Sequence, residues 1–203
     1  YDVAKEIVGK NKIPILLGGE HSLSAGPVRA VAEKYGNISL LHFDAHGDFR
    51  DTYHGDKFSH ASVLRRCHEI PGVSMIVQAG IRNVSNDPAD GSEFDYMQAH
   101  KDTIKVYYAK DMKSWDIGEM VGHLTDNVYI TFDVDGFDGS LMPSTGTPEP
   151  GGLDWYTALD AESKSAGCGH GHLLYSYLYA LSAEAMVLFS VSLFLSRALI
   201  RAL

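Results

Sequence analysis

Cysteine is scarce. Cys67 and Cys168 are the only two in 203 residues, too few for a disulfide framework, so nothing asks for an oxidising compartment. Positive charge is also in deficit. A formal net charge of −9 excludes a general nucleic-acid binder, which would present a basic face to phosphate. An acidic surplus attracts cations instead, whether metal ions or a basic small molecule. No basic segment leading into an apolar run opens the chain, so no secretory leader is visible and a cytoplasmic location is expected. The start at Tyr1 is expected of a processed protein or of a piece of a longer one. Solenoid-period repeats and low-complexity tracts are missing too. What is present is ordinary: 45% hydrophobic and 21% charged residues, the composition of a soluble globular chain with room for one medium α/β domain.

Through residues 1–162, short apolar runs alternate with stretches of helical spacing. Residues 3–8, 23–35 and 115–124 read as helices, and 13–17, 38–44, 74–79, 104–108 and 128–133 as strands. Strands alternating with helices of this length build βαβ units. The expected fold is therefore α/β, a three-layer αβα arrangement around a mostly parallel sheet. In such sheets the functional loops lie at the carboxyl ends of the strands.

Residues 163–203 differ in kind. Their only charged residues are Lys164, Glu184, Arg197 and Arg201, a net of +2 that leaves −11 on the first 162. From 173 to 196 a single acid, Glu184, interrupts an uncharged stretch that is apolar all round a helical wheel. That pattern suits a buried helix. Its length would also suit a membrane span, but a charge in mid-span is costly, so no membrane association is expected. The division is thus a domain over 1–162 and a divergent apolar tail over 163–203.

Three polar motifs stand at predicted strand ends. In Phe43-Asp44-Ala45-His46-Gly47-Asp48, side chains at i and i+2 of a strand point the same way, so Asp44 and His46 converge, and Asp48 can turn back to join them. Phe132-Asp133-Val134-Asp135 repeats the arrangement with two carboxylates, and Gly18-Gly19-Glu20-His21-Ser22 delivers an imidazole from a glycine turn. Taken singly, His21 reads as a cap and Asp-x-Asp as a turn device. Together they bring four carboxylates and two imidazoles to one sheet edge, where the acids would repel one another without cations. Asp and His without thiolates favour an ion such as manganese. Two such ions about 3.5–4 Å apart form a hydrolytic centre that makes hydroxide available near pH 7.

These motifs, followed by Pro143-Ser144-Thr145-Gly146-Thr147-Pro148-Glu149-Pro150-Gly151-Gly152, resemble the ureohydrolases, the family of arginase and agmatinase. The resemblance covers roughly residues 10 to 160 and is strongest to the agmatinase branch, through Glu20, Ser59-His60-Ala61-Ser62 and the Thr-Gly-Thr-Pro-Glu-Pro-Gly-Gly stretch. It implies an arginase-like fold and two Mn²⁺ ions. His21, Asp44, Asp48 and Asp133 would hold one ion. Asp44, His46, Asp133 and Asp135 would hold the other. It also implies proton-handling roles for Asp48 and His60, and hydrolysis of a small guanidino compound, agmatine foremost, to urea and an amine. Arginine, guanidinobutyrate or formiminoglutamate is the alternative substrate, and a non-catalytic metal-binding homologue the alternative role. Family members usually assemble as trimers or hexamers.

Other polar residues read as structural. His42 is expected to be a satisfied interior histidine, Arg82 in the Gly80-Ile81-Arg82 turn a structural cation, and Gly167-Cys168-Gly169-His170-Gly171-His172 no metal site. The chain departs from the family at Thr131, where Ser is common, and at Gly139, where Pro is usual. The family's segment before Tyr1, and the later strand and guanidinium-binding glutamate, are not recognisable here. The expectation is therefore a truncated family member whose tail is not the family's own carboxyl-terminal segment.

Overall fold

The computed structural model describes residues 1–165 and 190–196. Six strands form one sheet: β1 (Ile15–Gly18), β2 (Ile38–Phe43), β3 (Val73–Ile81), β4 (Ile104–Tyr108), β5 (Asn127–Asp133) and β6 (Ser190–Ser196). They lie in the order β1-β6-β5-β2-β3-β4. β5, β2, β3 and β4 are mutually parallel, while β6 runs antiparallel to both its neighbours. The mostly parallel sheet expected from the βαβ pattern is therefore present.

Burial explains why the central strands read as unbroken apolar runs. Every residue of β2 is buried, because a parallel sheet is covered on both faces. The period of two sorts the side chains. Leu40, Ile76 and Tyr129 join the core beneath α1 (Asp2–Gly9), α2 (Ala25–Tyr35), α3 (Val63–His68) and α4 (Glu93–Ala99). Leu41, Phe43, Val77, Ile130 and Phe132 join the opposite core, with Met120 of α5 (Ile117–Gly122) and Ala158 of α6 (Trp155–Ser165). This gives three layers, helix on sheet on helix.

The second core ends in a run of rings directly under the polar motifs. Phe43 stacks on Phe132 with centroids 4.9 Å apart, Phe132 meets Phe137 at 4.8 Å, and Phe137 stacks on Trp155 at 5.4 Å. Asp44 follows the first ring and Asp133 the second. The ring packing therefore sets where the two carboxylates leave the sheet. Backbone closeness does the rest. A Cβ at Gly136 would lie 2.9 Å from the Asp44 amide nitrogen, so the β5 loop can lie against the end of β2 only with glycine there.

Two expectations are corrected. The uncharged stretch 173–196 reads as a buried helix, and no strand is recognisable after residue 159, yet Ser190–Ser196 forms β6, with Leu193 opposite both Ile15 and Ile130. Val, Leu and Phe between serines suit a strand as well as a helix, and the gap between β1 and β5 offers backbone partners on both sides. Secondly, within residues 1–162 helices are expected only at 3–8, 23–35 and 115–124, yet α3 and α4 also form, packing Val63, Leu64, Cys67 and Met97 over the sheet. Among the described residues no helix is long and apolar enough to cross a membrane. Most of the uncharged stretch, and the 167–172 segment, lie outside the described residues.

Phe43 is fully buried and anchors the ring stack. Phe43→Ala should destabilise the fold by about 3–5 kcal/mol, measured by urea denaturation with an unchanged m-value. A loss below about 1 kcal/mol would show that the stack is dispensable.

Candidate metal centre

The glycine turn after β1 runs into a one-turn 3-10 helix, His21–Ser24, which buries His21 completely against the sheet edge. Its Nδ1 lies 3.2 Å from Asp44 Oδ2, 3.1 Å from Asp48 Oδ2 and 3.4 Å from Asp133 Oδ2. Its Nε2 is 2.9 Å from the Thr131 hydroxyl, which orients the ring. His46 Nδ1 lies 3.3 Å from Asp44 Oδ1 and 3.1 Å from Asp135 Oδ2. Asp44 thus faces both imidazoles, one through each oxygen. Asp48 completes the ring from a left-handed backbone conformation, φ +60°, which Asp tolerates better than most residues. All six residues expected as ligands therefore meet at the carboxyl ends of β1, β2 and β5.

The electrostatics show what the cluster lacks. Burial opposes charge on every member. At Asp44, contacts from His42, His21 and His46 overcome burial and hold the carboxyl well below its usual range. At Asp48, Asp133 and Asp135, burial and the neighbouring Asp44 charge push each carboxyl up. His21 and His46 resist burial because the acids around them favour the imidazolium, and both are held above the usual histidine value. Two imidazoles do not balance four buried carboxylates, and further positive charge among them would relieve the remaining repulsion. His21 Nδ1 is buried and makes no hydrogen bond, although three carboxylate oxygens surround it. A buried imidazole nitrogen with three carboxylate oxygens within 3.1–3.4 Å is a set of donor atoms that fits a divalent cation once its proton is displaced.

His42 is not part of that set, although it touches Asp44. Its Nε2 is 2.9 Å from Asp44 Oδ2, and its Nδ1 accepts from Gln78 Nε2 at 3.0 Å. Both nitrogens are engaged, as expected of an interior histidine that orients a carboxylate. His60 lies in the same cleft but away from the cluster, half exposed, with Nδ1 3.2 Å from Glu20 Oε1. The cleft has a volume of about 640 Å³, and Tyr53, Asn83, Glu93, Thr147 and Glu149 share its walls.

Several of these escaped the sequence reading. Buried Glu93 accepts from the Phe49 amide at 2.6 Å and the Ser85 amide at 2.8 Å, tying the loop behind Asp48 to the loop before α4. Thr147 donates to Asp135 Oδ2 at 2.8 Å, and Asn83 Nδ2 to Glu149 Oε1 at 2.5 Å. These are single polar residues without a repeated pattern, so spacing does not mark them. Arg82 has the structural role expected of it. Its guanidinium donates to the carbonyls of Gly80, Asp135, Gly136, Phe137 and Glu149, fastening the β5 loop and the 145–149 loop to the end of β3.

With this geometry in place, the comparisons with known proteins are decisive. The Arginase family model matches residues 1–171. The chain belongs to the arginase family. It is 38% identical over 162 residues to an agmatinase from Pyrococcus horikoshii, covering 79% of this chain and 53% of that protein. It is 37% identical over 158 residues to an N(1)-aminopropylagmatine ureohydrolase from Synechocystis, covering 75% and 48%. The structure of an agmatine ureohydrolase from Thermoplasma volcanium superposes with a TM-score of 0.69 at 33% identity, over 81% of this chain and 54% of that one. The chain spans about half the length of the curated relatives it matches.

Arg82→Ala should leave five carbonyls short of a donor and cost about 2–3 kcal/mol. Amide hydrogen exchange should rise in 134–138 and 145–149 and stay unchanged in α1 and α2. Uniformly faster exchange would mean that Arg82 serves the fold as a whole and not these two loops.

Proposed function

We propose that this member of the arginase family is a binuclear manganese hydrolase that cleaves a guanidino group to urea and an amine, with agmatine as its substrate and putrescine as the amine. The observation that carries the reading is the unpartnered His21 Nδ1 set among Asp44, Asp48 and Asp133, beside a second set of Asp44, His46 and Asp135. His21, Asp44, Asp48 and Asp133 would hold one Mn²⁺, and Asp44, His46, Asp133 and Asp135 the other, with Asp44 and Asp133 common to both. The pair, when bound, supplies a water-derived nucleophile near neutral pH and positive charge opposite the developing negative charge.

The chain's own groups divide the remaining work. Asp48, whose carboxyl burial and Asp44 push upward, would take and hold the nucleophile's proton. His60 contacts Glu20 through Nδ1, which leaves Nε2 to deliver a proton to the departing amine. Thr147 and Arg82 keep Asp135 and its loop in place. We read the enzyme as cytoplasmic and homo-oligomeric, trimer or hexamer, acting on a small cation. The agmatine assignment is supported by the identity to agmatinase and aminopropylagmatine ureohydrolase sequences.

Urea release with added Mn²⁺ tests the reading. Agmatine should yield urea, and chelation should abolish the activity. His60→Ala should lower kcat by about 10²-fold without changing the Mn²⁺-dependent rise in Tm. A Mn²⁺-loaded chain that releases no urea from agmatine, arginine or guanidinobutyrate would identify a non-catalytic metal-binding homologue instead.

A further inference from the structure

Besides the clustered aspartates and Glu93, two carboxylates line the cleft, Glu20 and Glu149. They differ in what they have left to offer. Glu20 uses both oxygens: Oε2 accepts from the amide and hydroxyl of Ser22, and Oε1 faces His60 Nδ1 at 3.2 Å. Glu149 is engaged on one side only. Its Oε1 accepts from the neutral Asn83 amide at 2.5 Å and lies 3.8 Å from His46 Nε2. Its side chain remains 31% exposed.

The backbone around Glu149 is fixed. Its carbonyl accepts from Arg82 Nη2 at 2.8 Å and Nε at 3.3 Å. Pro148 and Pro150 flank it, each with a locked φ, and Thr147 ties the loop to Asp135. A carboxylate held this way meets a ligand with little entropy left to lose. Against the acids stands one Lys or Arg among the described lining residues, Arg50. That cation is already taken: Nη1 donates to Asp90 Oδ2 at 2.5 Å, and the guanidinium lies 5.1 Å over the Tyr53 ring. Metal ions at the cluster would balance the buried aspartates and leave the Glu149 charge as it is. Among the described lining residues, a ligand carboxylate entering this cleft finds no Lys or Arg without an acidic partner and does find a fixed acid.

We propose that Glu149 is a specificity-determining residue, whose carboxylate beside His46 selects a ligand cationic at both ends over one that carries a carboxylate. The inference deepens the guanidino-hydrolase reading and rests on it, and separate measurements test the two. The probes are 1,4-diaminobutane and 4-aminobutyrate, of similar length, one with a cationic and one with an anionic far end, and neither hydrolysable. Their dissociation constants for the Mn²⁺-loaded chain are measured by calorimetry, while urea release from agmatine is followed separately.

The diamine should bind at least about tenfold more tightly than the amino acid. Glu149→Gln should narrow that ratio by about tenfold, and Glu149→Asp, which keeps the charge, should hold it within about twofold, both with unchanged circular dichroism and Tm. A ratio unmoved by Glu149→Gln, or equal affinities in the wild type, would overturn the assignment even if agmatine releases urea. Absence of binding by both amines would overturn it as well. Absence of urea release, with the ratio and its Glu149 dependence intact, would count against the hydrolase and not against the selectivity.

Discussion

Asp44 is 1% exposed and has an imidazole on three sides, His21, His42 and His46. The rest of the site is arranged around this buried charge. Asp48, Asp133 and Asp135 crowd the same few ångströms, and none of the three can ionise there without cost. Side-chain imidazoles supply part of the compensation and geometry directs the remainder inward, toward His21 Nδ1. A cluster of this kind loosens or repels itself unless cations complete it, so folding and metal binding should be linked.

The scaffold meets that demand from below and from the side. Below, the Phe43, Phe132, Phe137 and Trp155 rings pack in sequence, so that two neighbouring parallel strands release their aspartates together. From the side, Arg82 gathers carbonyls of the β5 loop and the 145–149 loop, and Glu93 ties down the backbone next to Asp48. A half-buried arginine surrounded by carbonyls is stable because every N–H has an acceptor, and it brings positive charge near the acids without entering the cleft. The Thr147, Glu149 and Asn83 side chains then shape the wall that a ligand meets.

Much of this was legible in the sequence. Asp44, His46 and Asp48 share one strand end, Asp133 and Asp135 another, and His21 follows a glycine turn. Period-two geometry and the rule for strand ends in parallel sheets are enough to bring them together. The continuous burial of β2 was legible for the same reason, as an unbroken apolar run. Glu93 and Asn83 were not, because each acts through backbone or amide contacts that depend on tertiary placement. The strand Ser190–Ser196 was hidden differently. Its residues suit a buried helix as well as a strand, and only the open position between β1 and β5 decides between them. His42 and Arg82 were read correctly as structural, although the details that make them so, the Gln78 bond and the five carbonyls, needed coordinates.

The central claim is that Asp44 serves two metal ions at once, and metal content tests it most directly. Elemental analysis of the purified, Mn²⁺-equilibrated chain should give two ions per chain. His46→Asn, which touches one set only, should keep about one. Asp44→Asn should fall near zero, since it removes a ligand from both sets and leaves the remaining charges unbalanced. An Asp44→Asn chain that still holds two Mn²⁺ per chain would contradict the account.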